Sequence, residues 1–245
     1  MRDRIGLAAW LAITLYANFA WANCQPSAVS QTVSHAVALD GDSLRLADGS
    51  QVRLLGVNTP ERGQPLAAEA LAATQSFIRH SRFLLLEVGQ ESHDRYGRQL
   101  AMVFDDQGQS LSALLLEQGL GWHVAIAPNL AWVACLRPHE QAAKQRRLGV
   151  WLRYPAQRVS ALAPGVSGFQ RLQGKVTAVE VRADALLLSL DTLVELYLTD
   201  PLGVQQGQAW LGKQVEVRGW LVWRGSATRT RWRMQLSSLA MLESH

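Results

Sequence analysis

The sequence predicts an α+β domain followed by a small all-β domain, and three observations lead to this division. Up to about residue 152, strand-like runs alternate with helical patterns. Residues 153–168 contain two prolines and two glycines and show no hydrophobic periodicity, which is typical of a linker. Residues 169–243 have an almost wholly β pattern. Because 48% of the 245 residues are hydrophobic, the chain has enough apolar material for two cores.

The first domain begins with a predicted β-hairpin over residues 44–54. At its centre is Asp48-Gly49, a pair that suits the two positive-φ positions of a type I′ turn. Alternation along the second strand puts Arg53 on a face with aliphatic residues, where a guanidinium is costly unless it reaches an anion. Carboxylates flank the hairpin at Asp40, Asp42 and Glu61. The hairpin therefore predicts a polar cluster of the kind that can handle phosphate and metal.

Three helices and further strands complete the first domain. The predicted helices cover residues 66–80, 111–118 and 138–147. Gly119 ends the second of these helices, Pro138 lies in the first turn of the third, and Gly149 closes the third. Residues 82–88 and 100–104 are predicted as buried strands. The domain is thus expected to contain about five strands and three helices.

The second domain is predicted to be a small β-barrel. Its five expected strands cover residues 174–179, 186–190, 194–198, 215–224 and 230–239. Alternation along the fourth strand puts Arg218, Trp220 and Arg224 on the face opposite the apolar residues. A tryptophan between two arginines on an open face would stack on a single-stranded nucleic acid. The same tryptophan would equally well cover a domain interface.

Residues 1–22 have the pattern of a secretory signal. A charged start is followed by an apolar run from Ile5 to Ala20 and by the small-x-small sequence Ala20-Trp21-Ala22. We expect cleavage after Ala22 and a periplasmic or secreted mature protein. The apolar run is shorter than a span of about 20 residues and contains Asn18, so no stable membrane insertion is expected. The formal net charge of +4 suggests an affinity for polyanions but does not establish one.

The two cysteines, Cys24 and Cys135, both follow the predicted cleavage site. In an oxidising compartment an even pair predicts a disulfide, which would tie the N-terminal arm to the region before the last helix. Two unpaired thiols are the alternative. A zinc site is not predicted, because neither cysteine has a Cys or His neighbour at metal-ligand spacing.

Three segments resemble the signature motifs of the staphylococcal nuclease (thermonuclease) family, in the family's order. They are Asp40-Gly41-Asp42-Ser43, the run from Val52 to Glu61, and Asp94-Arg95-Tyr96-Gly97-Arg98. The similarity continues to Trp151 and so covers about residues 31–152. It implies a five-stranded OB-type barrel with helices packed against it, and the β-rich second domain is similar to an accessory OB-fold.

The resemblance also implies roles for individual residues. Glu61 would orient or deprotonate the attacking water, and Arg53 and Arg98 would hold the phosphate oxygens. Tyr96, within the third motif, is a candidate for nucleic-acid contact together with Arg218, Trp220 and Arg224.

The family's calcium ion would be bound by Asp42, Asn58 and the backbone carbonyl of Thr59. The family has aspartate where this sequence has Asn58. An amide oxygen can bind calcium, but it brings no negative charge, and affinity falls as ligand charge is removed. We therefore expect calcium binding that is weaker than the family norm and more dependent on substrate.

Two functions are compatible with the sequence. One is a calcium-dependent endonuclease that hydrolyses phosphodiester bonds of DNA and RNA with little sequence preference, leaving 3′-phosphate ends as the resemblance implies. The other is a catalytically inactive module that binds nucleic acid or another partner. Arg53, Glu61 and Arg98 favour the enzyme, whereas Asn58 favours the module. The oligomeric state has no signal in the sequence.

Overall fold

The structure, a computed structural model, describes residues 24–27, 31–225 and 231–244. The predicted signal segment, residues 1–22, lies outside the described residues. Within the described ranges, every helix is too short or too polar to cross a membrane.

The N-terminal domain is built on a curved sheet with helices packed against it. Its strands are β1 (Gln31–Val33), β2 (Ala36–Ala38), β3 (Ser43–Leu46), β4 (Gln51–Leu54), β5 (Val57–Asn58), β6 (Leu84–His93), β7 (Gln99–Phe104) and β8 (Trp122–His123). Six of these strands form a sheet in the order β1-β6-β7-β4-β3-β2, and β5 pairs with β8 separately. This half-barrel confirms the fold class predicted for the first domain.

The predicted hairpin is formed by β3 and β4, with Ser43 opposite Arg53 and Leu44 opposite Val52. Its turn differs from the two-residue type I′ turn expected. Gly49 has a φ of 88°, and its N–H donates to the carbonyl of Leu46 at 3.1 Å. The loop is therefore one residue longer, which is the usual geometry when a type I turn is followed by a glycine in the left-handed region.

The helices of this domain are α1 (Ala67–His80), α2 (Leu111–Glu117), α3 (Val133–Gln145) and α4 (Val150–Arg153). The first two match the prediction. The third begins at Val133, five residues before the predicted start, so Pro138 lies inside the helix and lacks the N–H that would bond to the Ala134 carbonyl. Gly149 does not close α3 as predicted; with a φ of 48° it precedes the short helix α4.

The second domain is a closed barrel. Its strands are β9 (Gln157–Arg158), β10 (Gly168–Val181), β11 (Leu186–Leu190), β12 (Val194–Leu198), β13 (Gln214–Trp223), β14 (Trp232–Leu236) and β15 (Leu242–Ser244). Because β10 pairs with both β11 and β13, the strands β10, β11, β12, β14 and β13 close into a five-stranded barrel. This confirms the fold class predicted for the second domain.

Three features of the second domain differ from the expectation. β10 starts at Gly168, six residues earlier than the strand expected from residue 174. A segment expected to be linker forms β9, which pairs in parallel with β10. Helix α5 (Pro201–Gln206) follows β12, in a stretch to which no element was assigned within an almost wholly β pattern. It is capped by Asp200, whose side chain accepts from the backbone N–H groups of Leu202 and Gly203. Short 3₁₀ helices cover Val159–Ala161, Gly207–Trp210 and Leu239–Met241.

The two domains share a packed interface. Val124 and Ala125, which follow β8 in the first domain, belong to the hydrophobic core of the second barrel. Trp122 contacts Phe169 of β10 with ring centroids 5.2 Å apart. Phe169 in turn contacts Trp220 at 5.2 Å. The barrel is therefore attached by apolar contacts as well as by the connecting chain.

The prediction that Arg218 lies on an open, nucleic-acid-binding face is wrong. Its side chain is 3% exposed and forms an ion pair with Glu140 of α3 at 2.6 Å. Strand alternation fails here because β13 has a barrel core on one face and the first domain on the other. Trp220 is 40% exposed and packs on Phe169, while Arg224 pairs with Glu195 at 3.4 Å. Trp220 thus lies at the rim of the domain interface.

A disulfide joins Cys24 to Cys135 of α3 across 111 residues of sequence. Closing so long a loop restricts the unfolded chain, and the loop-entropy relation assigns about 4 to 5 kcal/mol of stability to it. We expect a reductant, or the double substitution C24S/C135S, to lower the free energy of unfolding by about that amount in denaturant titrations. Equal stability of the oxidised and reduced protein would contradict this expectation.

His123 is fully buried, and neither of its ring nitrogens has a hydrogen-bond partner within the described part of the chain. Burial, followed by the nearby charges of Arg218 and Arg137, lowers its pKa from 6.5 to about 3. Below pH 6.5 the unfolded chain takes up a proton here that the folded chain does not. Stability therefore falls as the pH drops from 6.5 towards 3.

We expect His123→Leu to remove this part of the acid sensitivity. Between about pH 7 and about pH 5, His123 alone should cost the wild-type protein roughly 2 kcal/mol of unfolding free energy. Denaturant titrations at the two pH values measure the difference, and His35→Leu at an exposed site is the matched control. An unchanged pH dependence in His123→Leu would show that folding does not lower the pKa of His123.

Candidate active site

Four residues of the predicted site are in direct contact at one end of the β3–β4 hairpin. Arg53 Nη2 lies 3.1 Å from Asp42 Oδ2 and donates to Asn58 Oδ1 at 3.1 Å. The backbone N–H of Thr59 donates to the same Asp42 oxygen at 2.7 Å. Sequence positions 42, 53, 58 and 59 are thus assembled into a single polar cluster; the hairpin indicated Asp42 and Arg53, and the family resemblance indicated Asn58 and Thr59.

Arg53 uses most of its hydrogen-bonding capacity inside the protein. Its Nη1 donates to the carbonyls of Leu54 and Val57, both at 2.9 Å. With Nη2 bonded to Asp42 and Asn58, only the Nε–H group has no hydrogen bond among the described residues. Arg53 therefore fixes the loop between β4 and β5. Its Nε–H group remains to bind a substrate.

Asp42 is buried beneath this cluster. It accepts hydrogen bonds from Thr59 N–H and, at 3.3 Å, from the Ser43 hydroxyl. Burial raises the pKa of the Asp42 carboxyl above its ordinary value, and the Arg53 guanidinium opposes that rise. The carboxylate is thus stabilised chiefly by a cation and a backbone N–H rather than by water.

Gly41 allows helix α1 to approach the cluster. A Cβ at this position would lie 2.7 Å from both Ala70 Cβ and Thr59 Oγ1. The Gly41 carbonyl accepts a hydrogen bond from Thr74 of α1 at 2.7 Å. Any side chain at position 41 would therefore push α1 away from the Asp42 loop.

Arg98 is held at the end of a tight turn. Its Nε donates to Asp94 Oδ2 at 2.7 Å, while Asp94 Oδ1 accepts from the backbone N–H groups of Tyr96 and Arg98. Partial burial raises the pKa of Asp94, but the bonds from Arg98 and Tyr96 outweigh it and the pKa is lowered. Both Nη groups of Arg98 have no hydrogen bond in the described structure, and the side chain is 28% exposed, so these groups can bind a ligand.

Arg98 lies just before β7, the strand that pairs with the strand of Arg53. β4 and β7 are parallel neighbours with Arg53 opposite Leu100, and Arg98 is two positions before Leu100. A continuous strand with this register would put the two arginine Cα atoms about 8 Å apart. A pocket of about 450 Å³ lies between the β3–β4 loop and the turn that precedes β7. It is lined by Gly49, Ser50, Gln51, Tyr96, Gly97 and Arg98. Tyr96 is 68% exposed beside it.

Glu61 follows the cluster by two residues and is exposed. Its backbone N–H donates to Gln64 Oε1 at 2.8 Å, which holds the start of the loop that leads to α1. Its carboxylate has no hydrogen bond or ion pair among the described residues. Glu61, Arg53 and Arg98 are not bonded to one another, so a bound group would have to connect them.

The predicted calcium ligands are all oxygen atoms, and of the three groups Asp42 alone carries a negative charge when ionised. No group of three or more His, Cys, Asp or Glu residues within the described ranges could hold a metal. Nevertheless, Asp42 Oδ2 and Asn58 Oδ1 converge on one point, which Arg53 Nη2 occupies at 3.1 Å from each. Calcium takes oxygen ligands of this kind. The chemistry of these donors suits a divalent cation, and Arg53 already bonds to both of the side-chain oxygens.

Two features of the site had not been assigned from the sequence. Asp94 orients Arg98. The sequence signal for this role is that an aspartate side chain often accepts from the backbone N–H two residues later in a turn, which here is that of Tyr96. The Leu54 and Val57 carbonyls fix Arg53, and no sequence pattern signals backbone acceptors of this kind.

Most of the N-terminal domain matches a protein-family model. Residues 51–153 match the family model described as Staphylococcal nuclease homologue. The N-terminal domain is staphylococcal nuclease-like. The match ends before the second barrel and begins after the Asp40–Ser43 segment.

Relatives of the staphylococcal nuclease-like domain carry nuclease names. Endonuclease YncB of Bacillus subtilis is 32% identical over 125 residues, covering 46% of this chain and 58% of that protein. The SPbeta prophage-derived endonuclease YokF of the same organism is 30% identical, covering 46% and 42%. Thermonuclease of Staphylococcus intermedius is 29% identical over 124 residues, covering 47% and 73%. The chain spans about half the length of the two Bacillus proteins.

Proposed function

We propose that this protein is a metal-dependent nuclease that hydrolyses phosphodiester bonds of DNA and RNA with little sequence preference. The observation that carries the proposal is that the Glu61 carboxylate and both Nη groups of Arg98 have no partner among the described residues, while Asp42, Arg53 and Asn58 form one polar cluster. Both lie in a staphylococcal nuclease-like domain whose relatives are named as nucleases.

Each residue has a role that its surroundings support. Glu61 takes a proton from, or orients, the attacking water, because its carboxylate is free and exposed. Arg98 binds two oxygens of the phosphate through its Nη groups, since Asp94 fixes its Nε. Arg53 adds its Nε–H and holds the loop that carries Asn58. Tyr96 offers an exposed ring to a base next to the reacting phosphate.

The metal in this proposal is calcium, held by Asp42, Asn58 and the Thr59 carbonyl. When bound, it supplies positive charge that stabilises the developing charge on the phosphate. Arg53 Nη2 already bonds to both side-chain oxygens that would hold the ion, and Asn58 would contribute no charge. Calcium affinity is therefore proposed to be low without substrate and higher when a phosphate adds its own oxygens.

Asn58→Asp is expected to tighten calcium binding. The substitution restores a second carboxylate at the point where Asp42 and Asn58 converge, and calcium affinity rises with ligand charge. Titration calorimetry should show at least about a tenfold lower Kd, which corresponds to roughly 1.4 kcal/mol. Asn129→Asp, a like change outside the cluster, is the control. Equal Kd values for Asn58→Asp and wild type would contradict the ligand assignment.

The proposed activity is tested by incubating the purified chain with single-stranded DNA, double-stranded DNA and RNA. The reactions contain calcium, another divalent ion or a chelator. We expect cleavage of all three substrates with calcium and little or none with chelator. Absence of cleavage in every divalent ion would leave the second candidate, a catalytically inactive module that binds nucleic acid or a partner, which Asn58 and the engagement of Arg53 with Asp42 favour.

We also propose that the protein acts in the periplasm or outside the cell. The Cys24–Cys135 disulfide supports this location, because disulfides persist in oxidising compartments. Mass spectrometry of the protein recovered from a periplasmic extract should show a chain that begins at Asn23. Recovery of the uncleaved, reduced protein from the cytoplasm would contradict the proposal.

A further inference from the structure

The strand that carries Asn58 has a single strand partner in the described structure. β5 pairs with β8, with Val57 opposite His123 and Asn58 opposite Trp122. The N–H of Val124 donates to the Gly56 carbonyl at 3.2 Å, next to this pairing. β8 therefore holds one side of the segment that supplies Asn58, Thr59 and Glu61, and Arg53 and Asp42 hold the other.

The outer edge of β8 is held by two charged side chains rather than by another strand. The backbone N–H of His123 donates to Glu140 Oε1 at 2.7 Å. The backbone carbonyl of His123 accepts from Arg218 Nε at 2.8 Å. Arg218 Nη2 and Glu140 Oε2 are joined at 2.6 Å. Together the two side chains bond to both the N–H and the carbonyl of His123 on the side of β8 that faces away from β5.

Arg218 belongs to the second barrel, and the barrel fixes it firmly. It also donates to the Ala240 carbonyl at 2.9 Å and lies 3.4 Å from Glu243 Oε1. The Arg218 and Glu140 side chains are each 3% exposed. A guanidinium with this many bonds cannot move independently of the barrel. The barrel therefore fixes the position of β8 through Arg218.

Close packing continues this constraint from β8 to β5. Gly121, immediately before β8, has no side chain, and a Cβ there would lie 2.8 Å from the Asn58 carbonyl oxygen and 2.7 Å from Val57 Cγ2. Because there is no room for even one side-chain carbon at Gly121, β5 and β8 pack directly against each other here. A shift of β8 would displace β5 with it.

We propose that Arg218 is a positioning residue for the nuclease site: through the His123 backbone, the second barrel fixes the strand that presents Asn58 and Thr59. The barrel is then a structural part of the active site and not a separate substrate-binding module. The activity readout of this inference rests on the proposed function, but its structural readout does not.

Arg218→Lys tests the inference, because lysine keeps the charge but cannot bond to His123, Glu140 and Ala240 together. Hydrogen exchange of the Val124 and Thr59 amides should become at least about tenfold faster. The kcat for DNA cleavage should fall about tenfold or more with KM changed less than about twofold, because misplacement of the site costs rate rather than substrate affinity. Arg233→Lys, which changes a partly exposed arginine paired with Glu195 on the same barrel, is the control.

A second variant covers the case in which Arg218→Lys does not fold. In the double substitution E140Q/R218M, the side-chain amide introduced by Glu140→Gln can still accept from the His123 N–H, while the Arg218 bond to the His123 carbonyl is lost. Replacing both members of a buried ion pair is often neutral for stability. The same faster exchange and lower kcat are expected, measured well below the unfolding midpoint.

Three outcomes separate the possibilities. Unchanged exchange in the folded variant overturns the inference, and so does faster exchange with wild-type kcat. Faster exchange in a protein whose wild type cleaves no substrate supports the positioning role and refutes the proposed nuclease function instead.

Discussion

Glu61→Gln is expected to lower kcat by at least about 100-fold, the size typical of a lost general base. Glutamine has the same shape but cannot accept the proton of the attacking water. The Glu61 side chain is exposed and its carboxylate has no partner among the described residues, so the fold should not respond. Single-turnover cleavage of a labelled DNA duplex measures the rate, and the thermal unfolding midpoint measures the fold.

Glu69→Gln is the matched control for this prediction. Glu69 is also an exposed carboxylate and lies in the first turn of α1, close in sequence to Glu61. The control removes the same charge and should cleave at the wild-type rate. If both variants cleave equally fast, the general base lies elsewhere.

Arg98→Ala is expected to lower kcat by at least about 100-fold, because it removes the open guanidinium edge that faces the proposed phosphate position. Arg98→Lys should recover little of this loss, since an ammonium group cannot bind two phosphate oxygens in the bidentate manner of a guanidinium. The rate should stay low at saturating substrate, which separates a transition-state role from simple substrate binding.

Arg95→Ala is the control for Arg98. Arg95 lies in the same turn, is exposed, and has its guanidinium 4.8 Å from the Tyr96 ring centroid. Its loss removes one positive charge from the same surface but leaves Arg98 and Asp94 in place. A fall in kcat as large for Arg95→Ala as for Arg98→Ala would mean that general surface charge, and not Arg98 itself, supports the reaction.

The parts of the fold that were predictable from sequence depend on local signals. Gly49 marks the hairpin because few residues other than glycine accept a positive φ. Alternation put Arg53 among aliphatic residues, where its charge requires an anion, and the structure supplies Asp42. The five strands of the closed barrel were also predicted, because β-branched and leucine-rich runs separated by polar residues leave a clear pattern.

Other parts depend on contacts between residues distant in the sequence. Arg218 has the alternation of an exposed residue, but the first domain covers its face of β13. The start of α3 was misplaced because Pro138 is favourable in a first turn, yet the helix already begins at Val133. Likewise, the carbonyls that bind Arg53 belong to a loop whose shape no pattern encodes. Such features arise only when the two domains and the loop pack together.

In the proposed mechanism, Glu61, Arg98 and Arg53 act on one phosphate beside a calcium ion. A crystal structure with a phosphorothioate oligonucleotide and calcium tests it most directly. The account predicts one phosphate within about 3 Å of Arg98 Nη and Arg53 Nε, with the Glu61 carboxylate facing its phosphorus and calcium between Asp42 and Asn58. A phosphate bound away from these three side chains, with Asp42 and Asn58 still bonded only to Arg53, would contradict it.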